Sequence, residues 1–192
     1  MKNRAFAKGM LISVLVAFLF VPGAYGQQKR EVKFTAKEPV LITCAGQSAD
    51  VQMVKVLADR NKIALKFNPV AEIQHLQDVK SVIIVIGGST KGLGAAGIDA
   101  DREAVRIQKL LSKIKELNLP LIAIHIGGKA RRGELSDRFI NLVSPRASLL
   151  MVLKEGDSDG IFSKTASKDN IPILIVDKIA ELQDPLKSIY GK

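Results

Sequence analysis

Between Ser81 and Asp99 the chain reads SVIIVIGGSTKGLGAAGID, and no other stretch restricts the fold as strongly. Val82 to Ile86 is a β-branched run too short for a helix and apolar on both faces, the pattern of a strand inside a parallel sheet. Gly87, Gly88, Gly92, Gly94 and Gly97 follow, and Asp99 then opens a helical pattern that continues to about Asn118. A strand that runs out into glycine and feeds a helix is how α/β sheets present backbone N–H groups to a ligand, often an anion.

The same alternation recurs along the chain. Strands are expected at Val40 to Cys44, Ile63 to Phe67, Val82 to Ile86, Leu121 to Ile126, Leu149 to Leu153 and Ile173 to Val176. Between them lie a helix capped by Ser48 or Asp50 and ending near Asn61, and a crossover with one helical turn over Pro69 to Asp78. The long helix from Asp99 carries Val105, Leu110, Leu111, Ile114 and Leu117 on one side and Arg102, Lys109, Lys113 and Glu116 on the other. Next come a helix capped by Ser136 with Phe139, Ile140 and Leu142 along it, a short helix after Gly160, and a closing helix from Asp177 to about Ile189, which Pro185 breaks or ends. This order predicts a three-layer α/β/α sandwich, flavodoxin- or Rossmann-like, around a mostly parallel sheet of about six strands. Strand order 2-1-3-4-5-6 is favoured because it sets the loops after strands 1 and 3 at the switch point, where such sheets bind ligands.

Ahead of this domain, at 40–190, residues 1–26 read as a signal peptide and 27–39 as a linker or edge strand. Lys2, Arg4 and Lys8 form the basic start and Met10 to Val21 the apolar run, which falls short of the about 20 residues that span a bilayer. Pro22 and Gly23 break the run, and Ala24-Tyr25-Gly26 predicts cleavage before Gln27 and export to the periplasm or the extracellular space; the alternative is an uncleaved anchor, the only membrane contact expected. Cys44 is the single cysteine, so no intrachain disulfide forms and the core alone must stabilise the domain. It reads as a small buried thiol.

Net charge is +10 with the leader; without it, 26 basic residues face 19 acidic ones, a charge of +7. Outside the cytoplasm that excess favours a small anionic ligand, an anionic wall polymer or the membrane surface over nucleic acid, unless it is only a soluble charged surface; an envelope protein is the other partner considered. The absence of Trp and the scarcity of aromatic residues also argue against base stacking. No cofactor is expected. Gly92, Gly94 and Gly97 satisfy GxGxxG, but five residues separate the motif from its strand, and the next strand tip carries His125 where a dinucleotide site has an acidic residue. Glu155, Asp157, Asp159 and Gly160 resemble the start of a calcium loop that lacks its closing Glu, since Ala166 stands there. Two His and one Cys supply a transition-metal site poorly, and no metal site is expected.

The candidate binding residues therefore lie on the loops at the strand tips. Gly87, Gly88, Ser89, Thr90, Lys91, Gly92 and Gly94 offer backbone N–H groups and side-chain donors, and Gln47 and Ser48 face them from the first loop. Lys129, Arg131 and Arg132 supply positive charge, with one of the two arginines expected to face the crevice. The competing readings are a glycine loop built only for close packing, and arginines that are solvated or paired with Glu134 or Asp137. His125, at the end of a buried strand, reads either as a hydrogen-bonded core residue or as an acid/base. Two functions follow: a binding module for a small anion at the C-terminal rim of the sheet, or an extracytoplasmic hydrolase or transferase acting on an anionic substrate with His125 as acid/base. A third, attachment to wall or membrane through net charge, predicts loss of binding with salt.

The segments TCAGQSAD, GGSTKGLGAAGID, HIGGKARRGELSD and KEGDSDG, in this order, resemble an uncharacterised family of exported bacterial proteins described as a domain of unknown function. The resemblance covers about residues 39–190. It implies an exported single domain and carries no catalytic residues across.

Overall fold

The computed structural model describes residues 33–192, so the expected signal peptide, its cleavage site and the first part of the linker lie outside the described residues. Six strands, β1 (Val40–Ala45), β2 (Leu65–Phe67), β3 (Ser81–Ile86), β4 (Leu121–His125), β5 (Leu149–Leu153) and β6 (Ile173–Val176), form one sheet. Every pairing is parallel and the order is β2-β1-β3-β4-β5-β6, the order expected from the sequence.

The apolar runs explain the placement. All residues of β1, β3 and β4 are buried, which only strands covered on both faces can achieve, whereas β2 and β6 are partly exposed at the two edges. Side chains alternate between two cores. Leu41, Ile84, Ile86 and Leu150 point to one face, covered by α3 (Ala100–Glu116), α4 (Glu134–Val143) and α5 (Ile161–Asp169). Ile42, Cys44, Ile83, Ile122 and Met151 point to the other, covered by α1 (Asp50–Arg60) and α6 (Gln183–Ile189). Phe34 and Ala36, within the expected linker, pack on this second core, and the Ala36 N–H donates to the Ile189 carbonyl at 2.9 Å.

Several local expectations are corrected. On α3 the buried stripe is Glu103, Ala104, Ile107, Leu110, Leu111 and Ile114, while Val105 and Leu117 are 49% and 44% exposed. Leu110, Leu111 and Ile114 lie on the buried face as expected, and Glu103, Ala104 and Ile107 stand there in place of Val105 and Leu117. A single helical turn, α2 (Thr90–Ala95), occupies part of the expected glycine loop, with Ser89 as its cap. Ser136 sits inside the first turn of α4, after a Gly133 cap at φ 120°, and its hydroxyl accepts from the Gly88 N–H instead of from its own helix. Asp177 caps no helix; its N–H donates to Glu181 Oε2, and the closing segment is a 3-10 turn at Ile179–Leu182 running into α6. Pro185 lies in the first turn of α6, where a missing N–H costs nothing.

Candidate functional site

The parallel sheet brings the four loops 46–50, 87–92, 127–133 and 154–160 to its C-terminal edge. The switch point between β1 and β3 is closed. Ser48 N–H donates to the Gly87 carbonyl at 3.0 Å, Ser89 N–H to the Gly46 carbonyl at 2.8 Å, and Gln47 bridges Gly88. Gly92 packs so tightly that a Cβ there would lie 1.9 Å from the Gln47 carbonyl oxygen. This corrects the expected backbone cradle. The N–H groups of Gly87, Gly88, Ser89 and Gly92 donate inward, to the Ala45 carbonyl, Ser136 Oγ, the Gly46 carbonyl and Ser89 Oγ. Gly92 and Gly94 lie within α2, and Thr90 and Lys91 are exposed on it.

Gln47 adopts the left-handed conformation at φ 59°, uncommon for a side chain of its size, and two hydrogen bonds hold it there. Its Nε2 donates to the Pro69 carbonyl and to Glu103 Oε1, each at 3.0 Å. Glu103 is fully buried and also accepts from the Gly46 N–H and from Arg106 Nε and Nη2, at 2.9, 2.8 and 2.8 Å. Arg106 in turn donates to the carbonyls of Ala71 and Cys44. The sequence reading missed Glu103 and Arg106 because charged residues on an amphipathic helix read as its solvated face; their i,i+3 spacing beside Ala104 and Ile107 was the available signal. Ser48 is buried, and its Oγ accepts from the Asp50 N–H at 3.2 Å. The Cys44 thiol donates to the Ser48 carbonyl at 3.5 Å, and burial first, then Glu103, pushes it up to about 12, so it stays a thiol at neutral pH.

His125, at the tip of β4, is fully buried. Its Nδ1 lies 3.0 Å from the Ile86 carbonyl and its Nε2 3.4 Å from the Gly128 carbonyl, with the Phe162 ring 5.1 Å away centroid to centroid. Burial lowers its pKa below the ordinary histidine value. With both ring nitrogens against backbone carbonyls, the histidine tethers the rim and presents no ring atom to solvent.

The two arginines differ. Arg132 is held by Asp137, Asp159 and the Gly156 carbonyl, at 2.7, 2.8 and 2.6 Å for its closest contact with each. Its hydrogen bonds to Asp159 and Asp137 raise its pKa, and the same bond holds Asp159 well below the usual carboxylate range. Asp157 accepts from the N–H groups of Phe162 and Ser163 at the start of α5. The acidic loop is thus engaged by capping and ion pairing, and among the described residues no group of three His, Cys, Asp or Glu side chains is placed to hold a metal ion.

The Arg131 side chain makes no hydrogen bond among the described residues and is 37% exposed. Its stem lies over Gly127, where a Cβ would come within 2.0 Å of Arg131 Cγ and 2.7 Å of Asp50 Oδ2. Arg131 Nε stands 3.9 Å from that carboxylate oxygen. Lys129 is exposed beside it. Asp50, considered from the sequence only as a helix cap, therefore projects over the tips of β3 and β4, while Ala49 takes the cap position of α1 without a side-chain bond. Two clefts lie away from the rim loops, one of about 510 Å³ between the 73–76 turn and α3, whose lining includes Arg106, and one of about 740 Å³ near Pro120 and Ser148.

Strand order, two-sided helix cover and a loop rim at the strand C-termini define a flavodoxin-like α/β/α domain. The sequence profile of the family described as Domain of unknown function (DUF6305) matches residues 37–190, and the chain belongs to that family. No curated protein matches the sequence. Among solved structures, the chain is similar to AlinE4, an SGNH-hydrolase family esterase, with TM-score 0.30 and 10% identity over 74% of this chain and 76% of that one. It is also similar to the psychrotrophic esterase EstA from Pseudoalteromonas sp., inhibited by monoethylphosphonate, with TM-score 0.30 and 8% identity over 78% and 92% of the respective chains. No helix of the described residues is long and apolar enough to cross a membrane.

Proposed function

We propose that this domain is an exported binding module that takes a small anionic ligand at the C-terminal rim of the sheet. The observation that carries the reading is the state of Arg131. Its planar fork suits a carboxylate or phosphate and it sits at the rim, where among the described residues its guanidinium makes no hydrogen bond and only a long ion pair with Asp50 at 3.9 Å, whereas Arg132 beside it is held by two carboxylates. Lys91 and Lys129 add exposed positive charge on the same edge. An anionic wall polymer or an envelope protein would present the same chemical groups. The leader-like segment supports a role outside the cytoplasm.

Thermal unfolding of residues 27–192 against carboxylates, phosphates, sulfate and nucleotides tests the reading. A ligand-dependent rise in midpoint that Arg131→Ala removes, in a variant that still folds, is the expected result. Arg132→Ala lowers the midpoint of the free protein, since it breaks the tie between the 128–131 turn and Asp159. A flat response to every anion overturns the proposal.

A further inference from the structure

We infer that Asp50 and Arg131 are the two poles of one site, and that its ligand is a small carboxylate bearing an ammonium or hydroxyl group on the adjacent carbon. The inference rests on the anion reading above and supplies the other half of the ligand. Asp50 Oδ2 is buried and has no hydrogen-bond partner. Glycine at 87 and 127 leaves it facing bare backbone, with the positions of their absent Cβ atoms 3.4 and 2.7 Å away, so neither position offers a side-chain donor. Arg131 Nε, at 3.9 Å, is near enough to balance the charge and too far to satisfy a lone pair. A buried acceptor in this state is one that a ligand donor improves.

The geometry also selects against a bare anion. An anion docked on Arg131 stands close to the Asp50 carboxylate and meets a like charge. A ligand with its own donor beside the carboxylate converts that repulsion into a charge-assisted hydrogen bond of about 2.8 Å. The Arg131 side chain, with Nε 3.9 Å from Oδ2 and its stem over Gly127, is the side chain flanking this oxygen on the Gly127 side. With no hydrogen bond to break among the described residues, it opens the oxygen by rotating its exposed side chain and keeps its fork at the rim.

The test is an NMR titration of residues 27–192 with L-alanine, lactate and propionate, which share a carbon skeleton and differ in bearing an ammonium, a hydroxyl or neither at the second carbon. The better of alanine and lactate binds at least tenfold tighter than propionate. Asp50→Asn brings that ratio to within about twofold while propionate binding persists, and Arg131→Gln weakens all three. Equal binding of all three by the unsubstituted protein overturns the inference, because a water molecule then serves Oδ2 as well as a ligand does, and leaves the anion reading standing. If neither these probes nor inorganic phosphate shifts any rim amide, both readings fall. The unsubstituted protein alone decides between these outcomes, so an unfolded variant does not obscure them.

Discussion

Removing the Glu103 carboxylate tests what holds the rim in shape. Glu103 is fully buried on α3, and the Arg106 side chain beside it is 9% exposed, so Glu103→Ala leaves a guanidinium uncompensated inside the protein and frees the Gly46 N–H and the Gln47 amide. Breaking one side of a buried ion pair costs about 3–5 kcal/mol. That is a large share of the about 5–15 kcal/mol that stabilises an ordinary domain. Glu103→Gln also leaves the guanidinium uncompensated but keeps the shape and one acceptor oxygen, so it is expected to be less destabilising than Glu103→Ala. Urea unfolding followed by far-UV circular dichroism measures both, with an unchanged slope showing that compactness is unaltered. The double variant Glu103→Leu/Arg106→Met should be less destabilised than the sum of its parts, since neither charge is then left alone. A Glu103→Ala variant within about 0.5 kcal/mol of the parent, the range of an ordinary surface change, would refute the reasoning.

Gly92→Ala should lower the unfolding midpoint, because its Cβ would meet the Gln47 carbonyl at 1.9 Å and force the zipped loops apart, while Gly94→Ala, with open space around it, should be neutral or slightly stabilising; equal midpoints for the two would count against the zipper. Cys44, with its thiol pushed up to about 12, should resist a thiol reagent at pH 8 until the protein is unfolded, and fast labelling of the native state would contradict its burial. The buried His125 has a folded-state pKa below its unfolded value of about 6.5, so the unfolded chain binds the proton first. Its contribution is therefore complete above pH 6.5 and is lost as the pH falls through that value towards the lower folded pKa. Stability measured from pH 8 to pH 5 should decline in that window, and His125→Gln should flatten the decline; identical profiles would remove histidine as its cause.

The sequence by itself determined the sheet. Apolar runs such as Val82–Ile86 tolerate only a position covered on both faces, and their alternation with helical segments left a parallel α/β/α sandwich whose switch point lies between β1 and β3. The burial of Cys44 was also legible, because a thiol inside a strand is a local matter; pairing of the loop arginines with Glu134 or Asp137 stood only as a competing reading, and the structure selects Arg132 with Asp137. Only the tertiary structure decided which face of α3 is buried, since Glu103 and Arg106 leave solvent solely because Gln47, Gly46 and the Cys44 and Ala71 carbonyls arrive from distant segments to meet them. It likewise decided the fate of the glycines. A glycine spacing is the same whether the backbone N–H groups point at a ligand or at the protein itself, and here the end of β1 and its loop take those of Gly87 and Ser89, Ser136 of α4 that of Gly88, and the Ser89 hydroxyl that of Gly92. The juxtaposition of Asp50 with Arg131 was hidden for the same reason: their 3.9 Å separation spans three strand tips, a distance that sequence spacing does not encode.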